Sequence, residues 1–335
     1  MTQHVILAYG QETELWRATF AVLSFYAWYE GNRADVHTVV FTDKPEFFAP
    51  HFDGLPVDYG LLTPTGLAEM RGPHQYIHRV KPAVIQRVFG EYPGDNLLFC
   101  DSDTFFIAPA DALLRSVRAD VSVMHLREFN FEEAVHVYAG FTPANQDRYP
   151  RRFIELIEKR TFPVGGVERK FEKTHFIWNS GVLGLSHEVG RLMPEIGALN
   201  DAFYAGSGWI TSEQIAFSLA LPFTTSLIAS SQYVLHYWGQ QQKTLMDGLL
   251  SRLTNPNFQA LPHSEKLAEV KRLTRVWRRT VQLSQVREGA LYAFSKGELK
   301  AGVKCAAKAF FASPFDADFA KKLLTVFRQK LTSSV

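Results

Sequence analysis

The stretch that decides the fold is NLLFCDSDTFFIAP, residues 96–109. Its apolar residues 97–100 predict a buried strand, and two aspartates, Asp101 and Asp103, follow that strand directly. Burial of a carboxylate is unfavourable unless a cation, a set of hydrogen bonds or a proton offsets the charge. Ligands of open α/β sheets bind beyond the carboxyl ends of the strands. The position of the two aspartates therefore indicates a functional site.

The segments before this strand predict the rest of the sheet. HVILAYG, residues 4–10, is a short apolar run, and a segment with helical spacing follows it over residues 12–32. VHTVVFTD, residues 36–43, predicts a second strand, and residues 80–92 predict a helix that leads into the aspartate strand. Strands that alternate with helices indicate an α/β fold with a mainly parallel sheet.

Three later segments each place polar residues at one end of a predicted element. FIWNSGVLGLS, residues 176–186, predicts a pair of strands joined by a tight Ser-Gly turn. TSEQIAFSLAL, residues 211–221, predicts a capped helix. SQYVLHYWG, residues 231–239, predicts a strand that ends in His236. FPVGGVERKF, residues 162–171, is expected to be a connecting loop or a mobile lid.

Length and composition favour one large α/β domain with an appendage, or two domains. The chain has 335 residues, of which 46% are hydrophobic, so it can bury a large core. Its two cysteines, Cys100 and Cys305, form neither a disulfide framework nor a zinc set, which favours a reduced, cytoplasmic setting. The first residues and the apolar runs predict no signal peptide and no transmembrane helix.

The charge is unevenly distributed along the chain. Residues 243–335 hold 17 Lys and Arg against 7 Asp and Glu, a net charge of +10, and the remaining residues hold 19 against 27, a net charge of −8. From about residue 246 the strand patterns stop and helical spacing continues to the end. We therefore expect an α/β domain over residues 1–245 and a basic helical C-terminal region over residues 246–335, with different partners.

Three interpretations of the Asp-Ser-Asp stretch remain open from its residues alone. One aspartate caps a turn while the other is exposed, or both bind a divalent cation, since carboxylates two residues apart at a strand end can share one hard cation. The third is a phosphatase of the haloacid dehalogenase type. That class places its aspartates on the first strand and needs a later acidic cluster. Here strand and helix units come first, and the only later Asp-x-Asp lies in the basic tail, at Asp316 and Asp318.

At this point the sequence resembles the GT-A class of nucleotide-sugar glycosyltransferases, most nearly the glycogenin-like and bacterial lipopolysaccharide galactosyltransferase-like family 8. The resemblance covers roughly residues 1–245 and rests on landmarks in a fixed order: an N-terminal βα unit, HRVKPAVI, the Asp-Ser-Asp stretch, NSGVLGLS, TSEQ, and HYWG followed by a lysine. It implies a Rossmann-like mixed sheet flanked by helices. It also implies hexosyl transfer from a nucleotide diphosphate, with a UDP-sugar as donor, to a glycan or glycolipid hydroxyl.

The resemblance implies a metal site. Asp101 and Asp103, with Ser102 between them, would bind Mn²⁺ or Mg²⁺ together with the nucleotide diphosphate, and His236 would supply a further ligand. A cation that bridges the diphosphate oxygens neutralises the charge that develops on them as the sugar departs. Without the other landmarks, His236 would be interpreted as a packed or surface histidine.

The remaining landmarks carry expectations about the donor. Lys81 lies where the family has a basic residue near the donor, and Lys243 is the counterpart of its phosphate-binding lysine, although the spacing is one residue longer and the usual Pro-Trp is missing. Asn179 and Ser180 resemble the segment that contacts the donor sugar. Each lysine is equally well explained as a solvated surface charge.

The acid-Gln pair of the family is Glu213-Gln214 in this chain, with Glu in place of Asp. It would lie beneath the anomeric carbon, where Glu213 could stabilise positive charge, act as a nucleophile, or serve as a base toward the acceptor. The sequence leaves these three roles open. A carboxylate in the first turn of a helix is also favourable without any catalytic role.

The first βα unit would form the nucleotide pocket, with Ala8, Tyr9 and Gly10 at the end of one strand and Asp43 at the end of the next. Tyr9 could stack on the base and Asp43 could accept from a ring nitrogen, while turn capping explains Asp43 almost as well.

The basic tail fits peripheral contact with an anionic membrane, such as the inner membrane surface, or a solvated helical cap. Nucleic acid is not an expected partner, because no binding motif is present. A non-catalytic glycan-binding protein on the same fold is the third alternative.

Overall fold

The computed structural model describes residues 1–141 and 145–332. The chain forms two compact units: one comprises Met1–His236 and Leu253–Lys271, and the other comprises Tyr237–Arg252 and the residues from Arg272 onward. The expected boundary between residues 245 and 246 falls inside a helix of the second unit, Gln240–Leu250. The division into 1–245 and 246–335 stays a prediction.

The first unit is built on a seven-stranded sheet. The strands of the described residues are β1 Thr2–Leu7, β2 Val36–Thr42, β3 Val57–Leu61, β4 Asn96–Asp101, β5 Thr104–Phe106, β6 Val121–Met124, β7 Arg127–Asn130, β8 Phe162–Val164, β9 Val167–Arg169, β10 Phe176–Trp178, β11 Val182–Leu185, β12 Ser226–Ala229 and β13 Val234–His236. The strand order in the sheet is β12-β6-β11-β4-β1-β2-β3, and all neighbouring strands are parallel except β11, which runs antiparallel to both β4 and β6. The prediction of a mixed α/β sheet flanked by helices is confirmed.

Helices connect most of these strands. Those of the described residues are α1 Glu12–Trp28, α2 Pro45–Phe48, α3 Pro64–Arg71, α4 Val80–Glu91, α5 Ala110–Leu114, α6 Phe131–Phe141, α7 Arg148–Lys159, α8 Met193–Ser207, α9 Ser212–Ala220, α10 Gln240–Leu250, α11 Pro256–Gln259, α12 His263–Lys296, α13 Leu299–Ala312 and α14 Ala317–Thr332. The strands and helices predicted around the Asp-Ser-Asp stretch are thus present as β1, α1, β2, α4 and β4.

Strand β4 is buried on both faces, which explains its uninterrupted apolar run. Leu97 and Phe99 point into the main core, where Ile196 of α8 and Phe217 of α9 also lie. Residues that alternate with them face the opposite side of a strand, and these too are fully buried. On that side α1 packs on β5, with the rings of Phe20 and Phe105 5.5 Å apart. The strand that carries the aspartates therefore has no freedom to shift its register.

The sheet brings three strand ends to one edge. Leu7 at the end of β1 is in register with Asp101 on one side and with Phe41 on the other. The residues that follow β1, β2 and β4 are therefore neighbours. This edge is where the candidate site lies.

Two short antiparallel ribbons extend this edge. Strand β13 pairs with β5, so that His236 lies opposite Thr104. Strand β10 pairs with β7, while β11, which follows it in the chain, pairs with β4 and β6. The two strands expected within residues 176–186 are present, but their expected pairing through a tight turn is wrong, because they belong to different sheets. The residues between them, 179–181, cross from one sheet to the other.

The second unit contains helices and, among its described residues, no strand. Its small apolar core is formed by α12, α13 and α14, through Ala290, Phe294, Ala306, Ala309, Phe319 and Leu323. The prediction of a helical C-terminal region is confirmed. Among the described residues, the helices lack the combination of length and apolar character that a bilayer-spanning segment requires.

Candidate active site

Asp101, Asp103 and His236 converge at the carboxyl end of β4. Asp101 is the last residue of the strand, Asp103 lies in the turn that follows, and the pairing of β13 with β5 brings His236 beside that turn. His236 Nε2 lies 3.1 Å from Asp103 Oδ1 and 4.0 Å from Asp101 Oδ2. One ligand atom from each residue lies within 4.8 Å of the others, so a single cation could bind all three.

The donor set suits the expected cations. Carboxylate oxygens bind hard divalent cations, and an imidazole nitrogen beside them is compatible with Mn²⁺. Three protein ligands leave room in an octahedral shell of about six positions for phosphate oxygens or water. The residues therefore fit the divalent cation that the sequence suggested.

Gly181 allows His236 to approach the β10–β11 connection closely. A Cβ atom at position 181 would lie 2.2 Å from His236 Nδ1, a distance that no side chain tolerates. Asn179 Oδ1 lies 2.8 Å from the same nitrogen and also accepts a hydrogen bond from the Gly181 N–H at 3.0 Å. Residues 179–181 therefore fix the position of the His236 imidazole through contacts at its Nδ1 atom.

Lys81 joins the aspartate pair to Glu213. Its ammonium lies 3.0 Å from Asp101 and 2.7 Å from Glu213, and it donates to the Ser180 carbonyl at 3.2 Å. Lys81 lies in the first turn of α4 and is buried, so the two carboxylates are its counter-ions in a poorly solvated environment. The alternative of a solvated surface charge is wrong for Lys81.

These neighbours shift the pKa values in different directions. Burial, acting with the nearby carboxylates of Asp103 and Glu213, raises the pKa of Asp101 above its ordinary value in spite of Lys81. Burial alone would also raise the pKa of Glu213, but the Lys81 ammonium and the Ser180 hydroxyl lower it below its ordinary value. The two carboxylates raise the pKa of Lys81 against the effect of burial. Glu213 and Lys81 are therefore both charged at neutral pH.

Glu213 and Gln214 occupy the first turn of α9, next to the β10–β11 connection. The Ser180 hydroxyl donates to Glu213 Oε1 at 2.7 Å, and the Ser180 N–H donates to Gln214 Oε1 at 3.3 Å. The pair is thus fixed to Ser180, and through Lys81 to Asp101. The structure brings together Lys81, Asp101, Asp103, Asn179, Ser180, Glu213, Gln214 and His236.

Ser102 differs from its neighbours in the stretch. Its hydroxyl donates to Glu14 Oε2 at 2.7 Å, which ties the turn to helix α1. Glu14 in turn pairs with Arg17 of the same helix. Ser102 thus anchors the turn, and its expected contact with the donor stays a prediction.

The candidate nucleotide residues lie at the neighbouring strand ends. Gly10 has a φ of +84°, and its N–H donates to both carboxylate oxygens of Asp43, at 3.1 and 3.2 Å. Lys44 donates to the Gly10 carbonyl at 3.0 Å. The Arg71 guanidinium lies 5.9 Å from the ring centroid of Tyr9. Asp43 therefore holds the Gly10 turn, and recognition of a base by Ala8, Tyr9, Gly10 and Asp43 stays a prediction.

Lys243 belongs to helix α10 of the second unit. Its expected contact with the donor phosphate stays a prediction.

Two residues at this edge of the sheet were not predicted as site residues, because neither belongs to a recognisable sequence motif. Glu128, in β7, accepts from both Asn179 and Gln214, and the ring of His125 lies 5.4 Å from that of His236. Burial lowers the pKa of His125 to about 3, so its imidazole is neutral. His125 lies in the bend between β6 and β7, and Glu128 lies in β7.

Comparison with known proteins gives fold-level similarity at most. No protein-family model matches this sequence, and the search of curated proteins found no match. Among solved structures, the chain is similar to the apo form of mouse xyloside xylosyltransferase 1, with a TM-score of 0.44, 12% identity, and coverage of 68% of this chain and 85% of that chain. It is also similar to the galactosyltransferase LgtC in complex with donor and acceptor sugar analogues, with a TM-score of 0.44, 13% identity, and coverage of 74% of this chain and 96% of that chain. At these values, neither similarity establishes an activity for this chain.

Proposed function

We propose that the first unit is a metal-dependent glycosyltransferase of the GT-A type, related to family 8. It transfers a hexose from a nucleotide diphosphate, with a UDP-sugar as the proposed donor, to a hydroxyl of a glycan or glycolipid. The observation that carries the proposal is the convergence of Asp101, Asp103 and His236 at the edge of the sheet where β1 and β2 also end. Lys81 pairs with Asp101 of this group and also with Glu213.

The proposed reaction breaks the bond between the anomeric carbon and the diphosphate oxygen and forms a bond from that carbon to the acceptor oxygen. The diphosphate leaves with the bonding electrons and takes up the proton that the acceptor hydroxyl loses. A divalent cation held by Asp101, Asp103 and His236 would neutralise charge on the leaving diphosphate. The protein's own residues orient the donor and stabilise the sugar as it becomes positively charged.

The environment of Glu213 favours two of its three candidate roles. A general base works best with a pKa near the working pH, whereas Lys81 and Ser180 lower the pKa of Glu213. An ionised carboxylate that is fixed in place suits stabilisation of positive charge at the anomeric carbon, or nucleophilic attack on it. We therefore assign Glu213 to one of these roles and Gln214 to positioning beside it.

The geometry favours the transferase over the phosphatase alternative. The phosphatase needs a further acidic cluster to complete a magnesium site, and among the described residues it is a histidine, His236, that completes the only group with suitable geometry. The three alternatives differ in their products. The transferase releases a nucleotide, the phosphatase releases inorganic phosphate, and a non-catalytic glycan-binding protein forms no product.

A thermal-shift screen tests the proposal. Wild type is heated with UDP, GDP, CDP or their common sugars, in the presence of Mn²⁺, Mg²⁺ or EDTA. A ligand present at about 100 times its Kd stabilises the native state by about 2.7 kcal/mol, which raises the melting temperature measurably. We expect UDP or a UDP-sugar to stabilise the protein with Mn²⁺ and to lose this effect with EDTA.

The Asp101→Asn/Asp103→Asn variant serves as the negative sample in the same screen. It should show no metal-dependent stabilisation by any nucleotide. If no nucleotide shifts wild type with either metal, the transferase proposal is wrong.

Peripheral contact with an anionic membrane is proposed for the second unit. Helix α13 carries an exposed row of lysines, Lys300, Lys304 and Lys308, each four residues from the next. Beside it runs an exposed apolar row, in which Leu299, Val303 and Phe311 are 59%, 58% and 93% exposed. Lysines near an anionic surface contribute about 1 kcal/mol each, and neighbouring apolar side chains can enter the interface.

Replacing all three lysines by alanine should weaken binding to vesicles of phosphatidylglycerol by about 3 kcal/mol, on the order of 100-fold. The measurement is co-sedimentation with vesicles, with neutral phosphatidylcholine vesicles for comparison. Lys159→Ala, an exposed lysine of the first unit, is the control and should bind as wild type does. Equal binding of the triple variant and wild type would show that α13 is not the docking surface.

A further inference from the structure

Glu128 connects two amide side chains of the candidate site. It lies in β7 and is half-buried. Its Oε1 accepts from Asn179 Nδ2 at 3.1 Å, and its Oε2 accepts from Gln214 Nε2 at 2.9 Å. Asn179 contacts His236, and Gln214 follows Glu213. One carboxylate thus contacts both the amide next to His236, a candidate metal ligand, and the amide next to Glu213.

Backbone hydrogen bonds identify which way each amide points. The Gly181 N–H donates to Asn179 Oδ1, and the Ser180 N–H donates to Gln214 Oε1. A backbone N–H can only donate, so each amide turns its oxygen to the backbone and its NH₂ group to Glu128. Glu128 must then accept at both oxygens. An ionised carboxylate does so, whereas a carboxylic acid or an amide would place a donor against a donor.

This arrangement determines where His236 carries its proton. Asn179 Oδ1 is an acceptor and lies 2.8 Å from His236 Nδ1, so Nδ1 bears a proton. The other ring nitrogen, Nε2, faces Asp101 and Asp103. Outer-shell groups that hold one nitrogen of a histidine in this way orient the ring and favour metal binding at the other nitrogen.

We propose that Glu128 is a positioning residue. Acting through Asn179, it keeps the His236 proton on Nδ1 and directs Nε2 to the divalent cation, while its second oxygen holds Gln214 beside Glu213. The cation in this inference rests on the proposed function. The position of the proton does not, because it can be measured without any metal.

The first test is nitrogen-15 NMR of the histidine rings in wild type, without metal and with diamagnetic Mg²⁺. The His236 signals are assigned by their loss in His236→Asn. We expect a proton on Nδ1 in both samples and, with Mg²⁺, none on Nε2. An Nδ1 without a proton in wild type overturns the proposal. The position of the proton is measured on wild type itself, and His236→Asn serves only to assign the signals.

The second test is Glu128→Gln, which puts an NH₂ group against one of the two amide NH₂ groups. The Kd for Mn²⁺ alone, measured from the EPR signal of free Mn²⁺, should rise by roughly 10- to 100-fold. The Nδ1 proton should exchange faster with solvent than in wild type. The matched control is Glu132→Gln, a change at an exposed glutamate that pairs with Lys173, and it should match wild type in both measurements.

The outcomes separate this inference from the proposed function. If Glu128→Gln melts at a lower temperature but binds Mn²⁺ as wild type does, Glu128 is merely structural and the inference is wrong, while the metal site stands. If wild type binds no Mn²⁺ but has the Nδ1 proton, and Glu128→Gln exchanges it faster, the connection from Glu128 to His236 stands. In that case the metal-dependent function is wrong.

Discussion

Replacing Asp103 by asparagine should reduce sugar transfer roughly 10³-fold, which corresponds to about 4 kcal/mol of lost transition-state stabilisation. Asparagine keeps the shape and one oxygen but removes the negative charge. The candidate site then has one carboxylate and one imidazole for the cation, so both the affinity for the cation and its effect on the leaving diphosphate fall. Asp103 is a cleaner choice than Asp101, because Asp101 also pairs with Lys81.

The measurement is the rate of nucleotide release from the donor that stabilises wild type, at saturating Mn²⁺. The control is Asp120→Asn, which removes an aspartate that is 77% exposed and pairs with Arg118 at the surface, and it should leave the rate unchanged. A rate for Asp103→Asn above about a tenth of wild type would correspond to less than about 1.4 kcal/mol, too little for a direct ligand. The assignment of the metal site would then be wrong.

The sequence predicted those elements whose burial appears directly in the pattern of apolar residues. Strand β4 is buried on both faces, so it appears as a continuous apolar run, and the aspartates that end it stand out. Helix α1 and strand β2 likewise have the spacing that their burial requires. Because parallel strands end at one edge, the order of these elements also predicted where the candidate residues of the first unit gather.

The sequence could not show which strands pair when distant segments meet. Residues 176–186 contain two strands with a Ser-Gly sequence between them, a pattern typical of a hairpin. Their partners, β7 and β4, lie far away in the chain. Residues 162–171 present the reverse case. They form a β-hairpin, β8–β9, whose Gly165 and Gly166 N–H groups both donate to Glu195, so a contact remote in sequence fixes a segment that had the composition of a loop.

The sequence likewise could not show that Glu128 belongs to the candidate site. Its importance arises from two amides that lie 51 and 86 residues away in the chain. A lone glutamate in a short strand carries no motif, and its neighbours in sequence do not take part in these contacts. Residues that position a site through other side chains are therefore the least visible in the sequence, because their partners are chosen by tertiary structure.

Replacing Lys81 by methionine should lower the free energy of unfolding by about 3–5 kcal/mol at neutral pH. Methionine fills a similar volume but leaves Asp101 and Glu213 without their shared ammonium ion. Glu213 is 4% exposed, so water cannot replace the lost charge. Loss of one partner from a buried ion pair is far more damaging than loss of a surface pair, which contributes roughly 0–1 kcal/mol. The matched control is Lys173→Met, which removes a half-exposed lysine 2.6 Å from Glu132.

The loss should depend on pH in a defined direction. In wild type the pKa of folded Glu213 is lowered, so its contribution to stability is present above the pKa of the unfolded state and is lost as the pH falls through the folded pKa. Without Lys81, burial raises the pKa of Glu213 and Asp101, and protonation then relieves the variant. Urea denaturation should therefore show a large deficit at about pH 7.5 that shrinks toward about pH 5.

A double-mutant cycle with Glu213→Gln distinguishes the lost ion pair from lost packing. If uncompensated charge causes the instability of Lys81→Met, neutralising Glu213 in the same chain should recover part of it, and the two effects will not add. Additive effects, or a deficit that is the same at both pH values, would mean that Lys81 acts by packing alone. The proposed connection between the aspartate pair and Glu213 would then have no electrostatic basis.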